Sequence, residues 1–113
     1  MLDKLNSVEA NYEELTTLLS TPSVQSDSNE YRKHAKALAE IEPLVEKARE
    51  YKAVLNEIEQ AEDLVKSSDA DMRALAEEEL RALKDRRDAL VAQIKILVSR
   101  FQIVDFRSHA SSA

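Results

Sequence analysis

The stretch that decides the fold runs from Tyr31 to Val65 and reads YRKHAKALAEIEPLVEKAREYKAVLNEIEQAEDLV. Its apolar residues recur every three or four positions without interruption, which is the spacing of one face of an α-helix. The positions on this face are Tyr31, Ala35, Leu38, Ile41, Val45, Ala48, Tyr51, Leu55, Ile58, Ala61 and Val65. The pattern therefore predicts a helix of about 37 residues, roughly 55 Å long at ~1.5 Å per residue.

Pro43 lies inside this pattern. Proline weakens a helix interior because it lacks an N–H donor and its ring clashes with the preceding turn. The segment is therefore either one kinked helix or two helices separated at Pro43. We favour the single kinked helix, because the apolar stripe keeps its phase across Pro43 and packing along it can offset the local cost of ~3 kcal/mol.

The segments on either side show the same periodicity. In the first segment the apolar face consists of Leu2, Leu5, Val8, Tyr12, Leu15, Leu18 and Leu19. In the third segment the face consists of Ala76, Leu80, Leu83, Arg87, Leu90, Ile94 and Leu97. The alternating steps of four and three in the third segment are those of a coiled-coil seam. We expect Arg87 at the edge of this seam, with its stem buried and its head in water.

Two polar stretches separate the three segments: STPSVQSDSN at residues 20–29 and KSSDAD at residues 66–71. Both have the composition of turns, and Pro22 cannot extend the first helix. Asp27 with Glu30 predicts a capping box, and Ser68 or Asp69 is expected to cap the third helix. Because the connections are short, consecutive helices should run antiparallel. We predict an all-α fold: an elongated, coiled-coil-like antiparallel three-helix bundle with a long central helix.

The composition excludes several kinds of chemistry. The chain has no Gly and no Cys, so it has neither a glycine-rich phosphate loop nor a disulfide or thiolate. Residues 1–98 hold 21 acidic and 14 basic residues, a net charge of −7, which argues against unaided, sequence-independent binding to nucleic acid, and we expect no DNA partner. There is no apolar run of ~20 residues for a membrane span, and acids occupy the start where a signal peptide needs apolar residues. We expect a soluble intracellular protein.

Candidate catalytic and metal-binding residues are few. His34 and His109 have no partner at metal-ligand or catalytic-triad spacing. The acids of Glu77–Glu79 form a run on an exposed helix start rather than an opposed pair in a pocket. We therefore predict no enzymatic activity, no cofactor, no metal and no small-molecule substrate.

Two clusters of basic residues are the candidates for partner contact. They consist of Arg32, Lys33 and Lys36 in the second segment, and of Arg81, Lys84, Arg86 and Arg87 in the third. The favoured interpretation is that they pair with acids such as Glu78 and Asp85 on the helix surface. The alternative is a small patch that contacts RNA phosphates.

Three stretches in order resemble a known family. They are LNSVEANYEELTTLLSTPSV at residues 5–24, YRKHAKALAEIEPLVEKAREYK at residues 31–52 and DADMRALAEEELRALKDRRDALVAQIKILV at residues 69–98. Together they resemble the amino-terminal domain of bacterial-type class I peptide chain release factors, in particular the release-factor-one group. The step DADMRALAEEEL is the most specific of these features, and the others gain weight from their order and spacing. The resemblance covers residues 1–98.

The resemblance implies an accessory domain that sits apart from the codon reader. In the family it faces the stalk base of the large ribosomal subunit, with its protein and RNA, and does no chemistry. The family's decoding tripeptide and Gly-Gly-Gln loop lie further along the chain. No residue of this chain matches them, since it has no Gly and neither Pro22 nor Pro43 is in the Pro-x-Thr form of the stop-codon reader. We therefore expect a ribosome-docking domain of translation termination in the bacterial cytoplasm, an organelle interior being the alternative.

The remaining residues, SRFQIVDFRSHASSA at 99–113, differ from the family's next segment. We predict a domain at residues 1–98 followed by a divergent tail at 99–113. The tail is too short for a domain, and its residues Phe101, Ile103, Val104 and Phe106 favour association. The alternative function is a coiled-coil adaptor or dimerisation module unrelated to translation, in which Arg87 sets the register.

Overall fold

The computed structural model describes the backbone of residues 1–101 and the side chains of residues 1–100. Four helices follow one another: α1 at Leu2–Leu19, α2 at Pro22–Gln25, α3 at Ser28–Leu64 and α4 at Ala70–Phe101. No strand occurs in the described residues. The molecule is a rod of 62 × 29 × 21 Å. The prediction of an elongated all-α bundle with a long central helix is confirmed.

Helix α3 is the centre of the bundle, and both α1 and α4 pack against it. Ion pairs fix the direction of α1: Lys52 contacts Glu9, whereas Arg49, one turn earlier on α3, contacts Glu13. As residue numbers increase along α1, the numbers of their partners on α3 decrease, so these two helices are antiparallel. The five-residue connection between α3 and α4 likewise returns the chain alongside α3.

Pro43 does not divide α3, which is continuous from Ser28 to Leu64. The single-helix prediction is confirmed and the two-helix alternative is wrong; the kink stays a prediction. Pro43 itself is exposed, while Leu44 and Val45 are 0% and 1% exposed. The helix is therefore held by apolar packing directly beside the proline.

The core has two parts. The first lies where three helices meet and is formed by Leu5, Val8 and Leu15 of α1, by Ile41, Leu44, Val45 and Ala48 of α3, and by Ile94 of α4. The second is formed by α3 and α4 alone, through Val54, Ile58, Ala61, Leu83 and Leu90. The bundle thus has a three-helix half and a two-helix half.

Burial on α3 extends beyond the predicted stripe. Leu44 and Val54 are 0% and 3% exposed, although neither belongs to that stripe. Leu44 is buried where α1 and α4 both meet α3, and Val54 is buried against α4 in the two-helix half. Tyr31, the first predicted member of the stripe, is 43% exposed, because the packed residues of α3 begin at Ala37.

The first connection contains a helical turn that the sequence analysis described only as a polar turn. α1 ends at Leu19, as Pro22 predicts, but Pro22 then occupies the first turn of α2. The missing N–H of proline costs nothing at that position, and its fixed φ suits a helix start. Residues Pro22–Gln25 are therefore helical, within a stretch for which only a polar turn was predicted.

Asp27 caps α3, but the predicted capping box is only half formed. Its Oδ1 accepts hydrogen bonds from the backbone N–H groups of Asn29 and Glu30, at 3.1 and 3.2 Å. The return bond from Glu30 is replaced, since the N–H of Asp27 donates to the carbonyl of Val24 at 3.0 Å. The α2 turn supplies this acceptor and leaves the Glu30 carboxylate free to pair with His34.

Helix α4 begins and packs as predicted. Of the two candidate caps it is Asp69 that accepts hydrogen bonds, from the N–H groups of Asp71 and Met72. In the seam, Leu90 and Ile94 are 3% and 0% exposed. The Arg87 side chain is 34% exposed, consistent with a buried stem and a solvated head at the edge of the seam.

We predict that Leu44→Ala lowers the free energy of unfolding by ~2–5 kcal/mol, because it leaves a cavity where α1 meets α3. The matched control is Leu75→Ala on α4, where the side chain is 65% exposed and the expected loss is under ~0.5 kcal/mol. Urea unfolding followed by circular dichroism measures both values. Equal losses for the two variants would contradict the two-sided burial of α3.

Candidate functional site

A group of polar side chains joins α1 to α3 and is centred on Arg49. Its Nε lies 3.6 Å from Oε2 of Glu9, and its Nη2 lies 3.2 Å from Oε1 of Glu13. The guanidinium also lies over Tyr12, with Cζ 5.4 Å from the ring centroid, which is cation–π geometry. Lys52 adds contacts to Asn6 and Glu9.

This group, which we call the α1–α3 clamp, holds two helices together and has no catalytic geometry. It consists of Asn6, Glu9, Tyr12, Glu13, Arg49 and Lys52. The Arg49 side chain is 53% exposed, so water screens its pairs and each contributes little. The sequence analysis did not single out these residues. The acids recur at helical spacing on α1, but matching them to Arg49 and Lys52 requires the antiparallel register.

The first basic cluster lies in the first turns of α3. Arg32, Lys33 and Lys36 are exposed, and none of them forms an ion pair within the part of the chain that the structure describes. His34, beside them, is partly buried, with Nε2 at 3.2 Å from Oε2 of Glu30. This agrees with the expectation of a boundary residue and leaves the three cations available to a partner.

The second basic cluster lies on α4 and is partly occupied by acids. Nη2 of Arg86 lies 3.7 Å from Oε2 of Glu50 on α3, and Nε of Arg87 lies 3.2 Å from Oδ1 of Asp88. These partners differ from the expected Glu78 and Asp85, because the expectation considered only neighbours on the same helix face. Arg81 is exposed and Lys84 is partly buried; neither has an ion-pair partner among residues 1–100.

The fold keeps the two clusters apart. The pair between Arg86 and Glu50 places the second cluster beside residue 50 of α3. Lys36 lies 14 positions earlier on the same helix, a separation of about 21 Å along the axis at ~1.5 Å per residue. The clusters are therefore two patches at different levels of the rod rather than one site.

An open groove lies between the start of α1 and the end of α4. Its lining residues are Met1, Lys4, Leu5, Ile94, Lys95, Val98 and Ser99. Among the described residues, its lining includes two lysines and no carboxylate. Glu77, Glu78 and Glu79 are exposed on α4, as expected for a solvated run.

The described residues contain neither a metal-binding cluster nor a membrane-spanning helix. Within residues 1–101 no three His, Cys, Asp or Glu side chains come together in an arrangement that would hold a metal ion. None of the helices in that range is long and apolar enough to cross a membrane.

Comparison with known proteins identifies similar chains. The family model described as the PCRF domain matches residues 8–107. Peptide chain release factor 1 of Carboxydothermus hydrogenoformans is 46% identical over 99 residues, which are 87% of this chain and 28% of that protein. The same-named protein of Myxococcus xanthus is 46% identical over 98 residues, 87% of this chain and 27% of that protein. Peptide chain release factor 1 of Bacillus cereus is 39% identical over 99 residues, which are 87% of this chain and 28% of that protein.

This chain therefore spans about 28% of the length of these relatives. The match to the family model extends past Val98 as far as residue 107, and the domain boundary at residue 98 stays a prediction. No solved structure matches the chain significantly.

We predict that Arg49→Ala weakens the attachment of α1 by ~1 kcal/mol, since it removes two screened ion pairs and a cation–π contact. Hydrogen exchange should accelerate several-fold in α1 and stay unchanged in the two-helix half. The control is Arg81→Ala, which removes an exposed cation from α4. It should leave hydrogen exchange unchanged both in α1 and in the two-helix half. Uniform acceleration along the whole rod would show that the clamp does not act on α1 specifically.

Proposed function

Because the chain belongs to the PCRF domain family of peptide chain release factors, we propose that it is an accessory, ribosome-docking domain of translation termination that performs no chemistry itself. The observation that carries this proposal is the family match over residues 8–107, joined to a rod whose groove has no acid–base pair. Both features suit a domain that positions a larger factor.

The absence of decoding and hydrolysis by this chain is part of the proposal. The Gly-Gly-Gln loop of the family requires glycine, and this sequence has none. Its two prolines have structural positions: Pro22 starts α2, and Pro43 lies within α3. Neither lies in a loop that would present a codon-reading tripeptide. In the full-length factors these tasks would fall to segments beyond the region that this chain matches.

The proposed partner is the stalk base of the large ribosomal subunit, with its protein and RNA, in the bacterial cytoplasm. Arg32, Lys33 and Lys36 are the best candidates for phosphate contact, because they are exposed and have no acidic partner in the described residues. Arg81 and Lys84 are a second set. Arg86 and Arg87 are weaker candidates, because Glu50 and Asp88 already pair with them.

The alternative, a coiled-coil dimerisation module, has less support. Its main argument was the heptad seam of α4. That seam packs on α3 of the same chain, with Leu83 and Leu90 in a shared cluster with Val54 and Ile58. The seam of α4 is therefore not available to pack against a second copy of the chain, so Arg87 does not determine how two copies align.

We predict that the purified chain binds bacterial large ribosomal subunits in a cosedimentation assay, and that binding weakens as salt rises. Replacing Arg32, Lys33 and Lys36 together by Glu should weaken binding about tenfold and flatten its salt dependence, because phosphate contacts release counterions.

The matched control makes the same change in net charge at exposed positions elsewhere, with Lys4→Glu, Lys95→Glu and Arg100→Glu. It should bind nearly as well as the unchanged chain. Equal losses would show that overall charge, rather than the start of α3, governs docking. Stop-codon-dependent peptide release by this chain alone would contradict the non-catalytic assignment, and a concentration-dependent dimer that ignores ribosomes would favour the adaptor.

A further inference from the structure

The negative charge of the molecule is concentrated at the far end of its two-helix half. This end, which we call the distal tip, comprises residues 57–79: the last turns of α3, the connection and the first turns of α4. It holds nine acidic and two basic residues, a net charge of −7, whereas the whole chain carries −6. The rest of the chain is therefore nearly neutral, and the tip accounts for the acidic character of the protein.

The distal tip also exposes large apolar side chains. Leu64, Met72 and Leu75 are 42%, 43% and 65% exposed. Met72 and Leu75 are three residues apart on α4 and are therefore neighbours on its surface. Leu64 is the last residue of α3, directly before the connection that leads into α4.

The backbone that presents these side chains is fixed by hydrogen bonds. Asp69 caps α4 through the N–H groups of Asp71 and Met72. Nη1 of Arg73 donates to the carbonyl of Ser67 at 2.9 Å, which ties the first turn of α4 to the connection. A surface held in this way loses little conformational freedom on binding, which favours affinity.

We propose that the distal tip is a docking surface for a basic protein, with Leu64, Met72 and Leu75 as apolar anchors and the surrounding acids as a charged rim. An apolar centre inside a polar rim is the usual anatomy of a protein interface. The inference rests on the proposed function and deepens it, because it assigns protein contact and RNA contact to different parts of the rod.

The negative charge of the distal tip argues against RNA, anionic lipid or a second copy of the chain as its partner. RNA phosphates and anionic lipid headgroups are repelled by a net charge of −7. A second copy of the chain, placed tip to tip, brings together two such charges. A partner with clustered Lys and Arg is attracted and steered toward the tip.

The test compares three immobilised probes: intact bacterial large subunits, the total basic protein fraction extracted from them, and their protein-free RNA. The anchor variant carries Met72→Ser and Leu75→Ser. Its control is Ile96→Ser, which removes an apolar side chain that is 58% exposed in the other half of α4. A second variant, Glu77→Lys with Glu78→Lys, alters the rim without touching an anchor.

The anchor variant should bind the subunits and the protein fraction about tenfold more weakly, as loss of interface anchors does, and bind RNA unchanged. The rim variant should also lose affinity for the protein fraction, and its remaining binding should depend less on salt. The control Ile96→Ser should behave as the unchanged chain on all three probes. All these side chains are exposed, and circular dichroism should show unchanged melting.

The outcomes separate this inference from the proposed function. If the unchanged chain binds no subunits, both are overturned. If it binds subunits and both tip variants bind equally well, only the role of the distal tip is overturned. If the tip variants change binding to RNA instead of to the protein fraction, the tip is an RNA contact and the inference is wrong.

Discussion

The burial of α3 on two sides is the interaction on which the rest of the structure depends. An isolated helix with a proline in its interior is unfavourable, and most helical stability in proteins comes from packing. Here Leu44 and Val45, the residues that follow Pro43, are among the most completely buried in the molecule. Because α1 covers one side of this region and α4 another, α3 stays continuous and sets the length of the rod.

The two halves of the rod differ because α3 and α4 run along both, whereas α1 packs along only one. In the three-helix half, α1 adds Leu5, Val8 and Leu15 to the core and the α1–α3 clamp to the surface. In the two-helix half, α3 and α4 bury only one face each, which leaves apolar side chains at the distal tip exposed. A rod of this kind offers exposed helix faces for docking, and the groove between α1 and α4 is lined by no carboxylate among the described residues. This architecture is consistent with the positioning role that we propose.

Local pattern was sufficient for much of this fold. The period of three to four residues placed the three long helices, and side-chain chemistry identified Asp27 as the cap of α3 and narrowed the cap of α4 to Ser68 or Asp69. The burial of Leu44 and Val54 was missed, because a single stripe does not show which further positions of α3 face α1 or α4. Arg49 and Lys52 were missed for a related reason, since their partners are more than thirty positions away in sequence. The two basic clusters were visible in the sequence, but their separation by register was not.

Unequal charge at the two ends of a rod gives it a permanent electric dipole along its long axis. The distal tip is the negative pole, and the cationic turns at the start of α3 lie toward the opposite pole. Near a polyanionic surface such a dipole experiences a torque that turns the negative pole away. The torque acts over roughly the screening length of ~8 Å at physiological salt, so the molecule is oriented during its final approach. The electric field of such a surface would therefore set the orientation of the rod before any side chain makes contact.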